Sequence, residues 1–512
     1  MKRHIKLILC VLAAYVLLLF LLVAAESPRA DASIRSFWDA VWFSLITMTT
    51  VGYGDLSPVT PLGRVLGLIF ALCSIGILAA LIGFGMRILG SEILPRLRLR
   101  FGRGRSWYFF SEDGADASAL AAALRQEDRD CLLVFPSGGS RRVGGEKVLR
   151  MDWIAEEAGK LRGGTEGVSL FFLGPDPGKN YTDALAACGA GLQCYCMAEI
   201  RPEQTPKGLQ LFSPREALSR SYWKDHPLKK EESLVLLIGC GEAGSAVLER
   251  ALLTNVFEEG RRIEYHIFDD TAHFAALHPE LVTALGAGLP DEDGLVFHAG
   301  SWTEARDLIR RADRILLCSD RDEDNLKAYE ALRSWFVTSA ALHVRLAERA
   351  DGLCCFGSRE TSMRPEFVMR DELNRRAKLM NDIYNQGSAQ PRSWEELSSF
   401  QRQSNIAAAD HLIVKARCLL GDDTLTELDT ETCARASACW EALPAGRREQ
   451  LQKMEHRRWI RFHQFYNWQY APVRDDSLRR HTLLLPYEEL NAAERAKDAY
   501  AWEMLGRLAE RQ

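Results

Sequence analysis

The hydrophobic pattern of the chain changes character near residue 105. From Ile5 to Ala25 the residues are apolar except for Lys6. At about 1.5 Å per residue, such a run reaches across the roughly 30 Å hydrocarbon core of a bilayer. Lys2, Arg3 and Lys6 lead into it, which by the positive-inside tendency places the N-terminus in the cytoplasm. A secretory signal is the competing reading, since the small residues Val23, Ala24 and Ala25 follow. A second apolar stretch covers 64–90 and contains Gly67, Gly76, Gly83 and Gly85. Arg87, Arg96, Arg98, Arg100, Arg103 and Arg105 follow, a basic run that marks a cytoplasmic exit and serves as a linker over 93–105. Two cytoplasmic flanks require two crossings. The pattern therefore predicts a multi-pass protein of the cell (inner or plasma) membrane. Its spans lie at 5–25 and 64–90, its termini are both cytoplasmic, and the segment between the spans lies outside or re-enters.

Beyond residue 105 short apolar runs alternate with helical patterns. Residues 107–110, 131–135 and 169–173 read as buried strands, with a helix over 116–125. This alternation indicates a parallel α/β sheet over 106–225. Its first turn, Ser111-Glu112-Asp113-Gly114-Ala115, lacks a glycine fingerprint and carries acids that repel phosphate. The unit reads as a degenerate Rossmann-like domain that binds no dinucleotide. A second α/β unit covers 232–365. Its strand over 234–238 leads into Gly239-Cys240-Gly241-Glu242-Ala243-Gly244 and a helix to about residue 252. This is G-x-G-x-x-G where a pyrophosphate needs it, with glycines for the tight turn and for close backbone approach at a helix N-terminus. The next strand, 264–268, ends at Asp269, an acid placed to accept hydrogen bonds from a ribose diol. Gly239, Gly241, Gly244 and Asp269 are thus candidate nucleotide-binding residues. NAD(H) or another adenine nucleotide is the candidate cofactor, and a glycine turn without ligand is the alternative. From 370 to 512 the chain turns helix-rich and Trp-rich. Leu451, Met454, Arg458 and Phe462 recur at helical spacing, and Glu455 with Arg474 and Asp475 forms a candidate internal polar network.

Composition adds less. A length of 512 residues suggests three or four domains at roughly 150 residues each. A mean hydropathy of -0.15 argues, as an average, against a membrane protein; the order of the residues restores that character. The net charge of -5 gives no argument for nucleic acid as a partner. The 13 cysteines are expected to be reduced in a mostly cytoplasmic chain. None forms a C-x-x-C pair, and neither Cys194 with Cys196 nor Cys354 with Cys355 fits a zinc site. His456 and His463 lack zincin spacing. With no Ser-His-Asp order and no paired carboxylates, an enzyme is not expected.

Between the two spans, residues 36–49 read as a pore helix and lead into Thr50-Val51-Gly52-Tyr53-Gly54-Asp55. This segment resembles the selectivity filter of potassium channels. Potassium exchanges its water shell for stacked backbone carbonyls, so the carbonyls of Thr50, Val51, Gly52 and Tyr53 are the expected K+ ligands. Alternating left-handed backbone is needed, which Gly52 and Gly54 permit. Tyr53 is expected to pack on Trp38 or Trp42, and Asp55 to concentrate cations at the outer mouth. One loop cannot encircle an ion; four are needed, which implies a homotetramer. Gly76 resembles the glycine hinge of two-span channels, with close helix packing as the alternative.

The second α/β unit, with Ala312-Asp313-Arg314-Ile315-Leu316-Leu317-Cys318-Ser319-Asp320 and Asp324-Asn325-Leu326, resembles RCK (KTN) domains, which are Rossmann-like; Ser301 stands where relatives often carry Asp. Glu455-His456-Arg457-Arg458-Trp459, Trp468–Asp476, His481 and 485–490 resemble the ryanodine-receptor (RyR) repeat over 450–510. Asn467, Ala471 and Thr482 depart from it. Trp394, Arg402, Ser404-Asn405 and Ala409-Asp410-His411 resemble the helical segment that accompanies such repeats. These resemblances imply a multi-domain protein with a two-span α-helical membrane pore over 1–92, tandem Rossmann-like domains and a mainly α RyR-like domain. They imply a potassium-selective channel in a lipid bilayer, gated by a nucleotide-type small ligand. The alternatives are a membrane-anchored nucleotide-sensing or interaction module, and a nicotinamide-dependent oxidoreductase.

Overall fold

A computed structural model describes residues 2–89, 93–94, 96–97, 105–153, 155, 158, 167–288, 292–386, 388 and 390–511. The chain divides into two compact units, Met1–Phe101 and Gly102–Gln512.

In the first unit three helices, α1 (Lys2–Glu26), α2 (Phe37–Met48) and α3 (Pro61–Ile88), surround a small core of Leu19, Leu22, Ile34, Ala40, Phe43, Leu66 and Phe70. Helix α2 starts in a capping box. The Ser36 hydroxyl accepts from the Asp39 N–H, and the Asp39 carboxylate accepts from the Ser36 N–H. The buried Glu26 carboxylate ties the end of α1 to the start of α3. It accepts from the Val59 and Thr60 N–H groups, both at 3.0 Å, and from the Thr60 hydroxyl at 2.6 Å. A Cβ at Gly63 would overlap that carboxylate. Large apolar side chains face outward on both long helices, among them Leu17, Phe20, Leu62, Val65 and Leu68. Exposed apolar surface of this extent calls for lipid or another chain.

The two expected spans coincide with α1 and α3, of 25 and 28 residues. The side chains of 1–12 and of much of 73–90 lie outside the described residues. Among the described residues no helix is long and apolar enough to cross a membrane. Most of the expected basic linker, 98–104, also lies outside them.

The second unit holds two six-stranded parallel sheets. The first contains β1 (Trp107–Phe110), β2 (Leu132–Phe135), β3 (Leu149–Arg150), β4 (Val168–Phe172), β5 (Gln193–Met197) and β6 (Leu209–Phe212). Its helices include α4 (Ala115–Glu127), α5 (Pro177–Cys188) and α6 (Pro214–Asp225). The second sheet contains β7 (Leu234–Ile238), β8 (Glu264–Phe268), β9 (Gly294–His298), β10 (Arg314–Leu317), β11 (Ala341–Arg345) and β12 (Cys355–Phe356), with α7 (Glu242–Thr254) and α8 (Asp322–Trp335). Spatial order is β3-β2-β1-β4-β5-β6 in the first and β9-β8-β7-β10-β11-β12 in the second. Both are therefore the doubly wound order of dinucleotide-binding folds. The first sheet is complete in its strands; its departure lies in its first turn. There Asp113 pairs with the buried Arg150 at 2.7 Å, and Glu112 lies 3.3 Å from Lys179.

Five helices make up the C-terminal region: α9 (Glu372–Asn385), α10 (Ser399–Leu420), α11 (Thr430–Ala442), α12 (Ala445–Phe465) and α13 (Ala492–Ala509). Their core is continuous with that of the second sheet: Val247 and Leu252 of α7 belong to one cluster with Leu412, Phe462 and Trp502. Buried ions cross the junction. Arg461 pairs with Asp293 and with Glu292, the latter at 2.8 Å, while Arg220 and Arg250 share Asp410 at 2.9 Å each. Removing one partner of such a pair leaves a buried charge and costs about 3–5 kcal/mol.

Candidate functional site

Helix α2 ends at a sharp reversal. The N–H groups of Val51 and Gly52 both donate to the Ile46 carbonyl, at 3.0 and 3.2 Å, so the filter segment closes the end of its own pore helix. Thr50, Gly52 and Gly54 have φ of +58°, +58° and +74°. Every second residue thus lies in the left-handed region, the alternation that filter carbonyls require. A Cβ on Gly52 or Gly54 would meet no atom within 4 Å, so backbone conformation alone demands glycine there. Thr50 does the same with a β-branched side chain, at a cost of about 1–2 kcal/mol; only its glycine neighbours were legible from the sequence.

Of the two expected partners of Tyr53, the structure selects Trp42. The rings are parallel to within 7°, their centroids 6.4 Å apart. Trp38 instead meets Phe37 edge to face. The Trp42 Nε1–H donates to Asp55 at 2.9 Å, a bond the sequence did not signal. One indole therefore holds both the aromatic and the acidic residue of the filter. Gly76 lies within helical α3; its surroundings fall outside the described residues.

The second glycine loop joins β7 to α7 and opens onto a cavity of about 720 Å³ that also reaches Arg201, Arg215, Asp270 and Tyr466. Its anion seat is taken by the chain itself. The Asp320 carboxylate, which follows β10, accepts from the N–H groups of Glu242 and Ala243 at 2.8 and 2.9 Å. These are the donors that a pyrophosphate would use. Asp269 accepts from the Cys240 and Asp270 N–H groups, so both its oxygens are engaged within the loop. The residue braces the turn, because its strand ends directly beside the Cys240 N–H. As its side chains stand, the loop does not fit a dinucleotide phosphate.

The motif residues of the helical region line a further cavity of about 740 Å³. Trp459, Tyr384 and Tyr500 provide aromatic walls, Ser404 and Asn405 polar groups, Arg474 and Lys497 positive charge, and Glu494 and Asp498 negative charge. Beneath it, Glu455 binds Arg458 through both oxygens, at 2.9 and 2.6 Å, and Lys415 at 2.7 Å. Burial opposes the charge of Glu455, yet Arg458 and Lys415 hold its carboxyl far below the usual range. The expected network of Glu455 with Arg474 and Asp475 does not form. Arg474 is exposed and bonds Asp476, at 2.6 and 3.1 Å, while Asp475 accepts from Ser477.

Residues 5–90 match the ion channel family. The chain is similar to a voltage-gated potassium channel of Aeropyrum pernix, 45% identical over 64 residues, which are 12% of this chain and 22% of that one. It is also similar to the calcium-gated potassium channel TvoK of Thermoplasma volcanium, 44% identical over 50 residues, 10% of this chain and 14% of that one. The match thus spans less than a quarter of either relative. Among solved structures, the chain aligns with GsuK bound to ADP at 15% identity and a TM-score of 0.33, covering 72% of this chain and 100% of that one. The GsuK channel bound to NAD aligns at 13% identity and a TM-score of 0.32, covering 72% and 85%.

Proposed function

We propose that this chain is one subunit of a homotetrameric, potassium-selective channel whose pore is formed by residues 1–92 and gated by a small ligand bound to the part beyond residue 105. The observation that carries this reading is the filter backbone. Left-handed φ recurs at Thr50, Gly52 and Gly54, directly after a capped pore helix. The likeness of residues 5–90 to ion channels supports it. In this reading α1 and α3 span the bilayer with both termini cytoplasmic, their outward apolar faces meet lipid or neighbouring subunits, and K+ is the cargo held by carbonyls of residues 50–53. Gly76 is the proposed hinge of α3. A ligand shifts the gate only by its differential affinity for the open and closed states, and a tenfold preference is worth about 1.4 kcal/mol per site. Potassium flux into liposomes carrying the full chain, with sodium as the control ion, tests the proposal. Flux of both ions at equal rates overturns the selectivity.

The ligand has two candidate seats. The first is the loop of Gly239, Gly241 and Gly244, where an adenine nucleotide such as NAD(H) would have to displace the Asp320 carboxylate. The second is favoured by that carboxylate. The cavity beneath Trp459 has aromatic walls with cationic groups at hand, which suits a flat ring carrying negative charge, a nucleotide by chemistry. Binding of ADP and of NAD to the full chain, compared between Asp320→Asn and Trp459→Ala, separates the seats. The site in use is the one whose variant changes the affinity.

A further inference from the structure

Three metal-ligating side chains meet away from both glycine loops. His226 follows α6, at the head of the stretch that leads into β7; His343 lies on β11; Cys354 directly precedes β12. One ligand atom from each lies within 4.8 Å of the other two. His343 Nδ1 is 3.4 Å from Cys354 Sγ. A tetrahedral ion with bonds of about 2.3 Å to sulfur and about 2.0 Å to nitrogen places such a pair roughly 3.5 Å apart. The two side chains therefore already stand at the separation a shared metal imposes. The imidazoles of His226 and His343 are almost perpendicular, at 83°, with centroids 5.0 Å apart. Tyr222 walls the group edge-on to His343.

The surroundings suit a cation better than the neighbouring Arg314 suggests. Its guanidinium is bound by Glu232 at 2.8 and 2.6 Å and by the carbonyl oxygens of His226 and Pro227, so its charge is largely met. His343 is buried, and burial, with Arg314 and His226 nearby, pushes its imidazole down to about 3. A neutral imidazole keeps a lone pair for a metal. Cys354 is exposed and leaves the group an entry from solvent.

We propose that His226, His343 and Cys354 form a binding site for a zinc-class divalent ion, with water as the fourth ligand. On binding, the Cys354 thiol forms a sulfur–metal bond and releases its proton to solvent; no redox step is involved. The site joins the chain that leads from the first sheet, at His226, to the outer strands of the second. A bound ion would fasten that connection at the point where Arg314 already holds the His226 and Pro227 carbonyls.

The test uses the full chain stripped of metal by chelator. It is titrated with Zn2+ in competition with a chromophoric chelator, and with Co2+ for the thiolate-to-cobalt charge-transfer band. One ion per chain and a band of that type are expected. Cys354→Ser should abolish the band. His226→Gln, at a half-buried position less demanding for the fold than His343, should weaken Zn2+ by more than the roughly 10–100-fold typical of losing an outer partner. Cys355→Ser, adjacent in sequence, should change neither. Absence of a stoichiometric ion in the native chain overturns the site. So does a band that survives Cys354→Ser, which would place the ion on other cysteines.

Discussion

The chain contains two glycine loops that need glycine for opposite reasons. In the filter, Gly52 and Gly54 stand in open space, and their positive φ is what excludes a side chain. In the β7–α7 loop the demand is mainly spatial, and only Gly239, at φ +92°, is also held by conformation. A Cβ on Gly241 would fall on the Asp320 carboxylate, and one on Gly244 on the Gly239 carbonyl. Within the chain, the 50–55 loop has no contact that would exclude a side chain at these glycines. The second loop is packed against its own strand ends, and its donors are spent on Asp320 and Asp269. The same residue type thus marks a surface kept open in one place and a close contact in the other. A glycine pattern alone does not say which.

The sharpest way to break this contrast is Gly52→Ala. An L side chain forced into left-handed backbone costs about 1–2 kcal/mol per copy, and the proposed tetramer would carry four copies. We expect selective potassium flux in liposomes to be lost, while the part beyond residue 105, measured by its thermal unfolding, is unchanged. Retained selectivity would mean that the filter backbone is not what makes this loop selective. The counterpart, Gly241→Ala, should leave the filter alone and lower the stability of the second sheet by about 1–3 kcal/mol, as overpacking does. Because Asp320 is the atom group in the way, Asp320→Ala in the same chain should restore part of that loss. Additive effects of the two changes, read as unfolding free energies, would remove Asp320 from the loop.

A smaller effect tests whether the closed loop is a ligand site at all. Asp320→Asn removes the charge that competes for the start of α7. If the loop is a phosphate seat held shut, ADP affinity should rise about tenfold, or 1.4 kcal/mol, by equilibrium binding to the full chain. The stability lost with the carboxylate should be about 1 kcal/mol, as for other helix caps. Unchanged ADP affinity would leave the cavity beneath Trp459 as the seat.

The alternation of short apolar runs located the central strands of both sheets because strands such as 234–238 and 168–172 are buried on two faces. It also located the helix that follows the first strand of each unit, α4 and α7. What it could not convey is where strand ends meet. Asp320 lies far along the chain from Gly241, and only the sheet order, with β10 beside β7, brings its carboxylate to the start of α7. The same limit hid His226 beside His343 and Cys354, and hid Lys415 as the partner of Glu455. The Glu455–Arg474 pairing expected from motif order failed because Arg458, one turn along the same helix, is nearer and fully buried. Short-range signals were more reliable: residues 36–49 read as a helix, and α2 forms over Phe37–Met48, opened by the Ser36–Asp39 capping box.

The weakest expected effect bears on how the open loop stays open. Trp42 stacks on Tyr53 and donates to Asp55, so it braces the proposed filter segment through two of its side chains. Trp42→Phe keeps a ring for Tyr53 but removes the Nε1–H. A hydrogen bond to a charged group is worth about 1.5–3 kcal/mol when buried, and less where water reaches Asp55, so a loss nearer 1 kcal/mol is expected. Selectivity measured at once should be intact, while the time over which potassium flux persists should shorten. Asp55→Asn should behave similarly, since the amide oxygen still accepts from the indole but without the charge. If Trp42→Phe abolishes selectivity outright, the indole is part of the filter's conformation rather than its support. The glycines would then no longer be sufficient to explain why this loop, unlike the one before α7, is held clear.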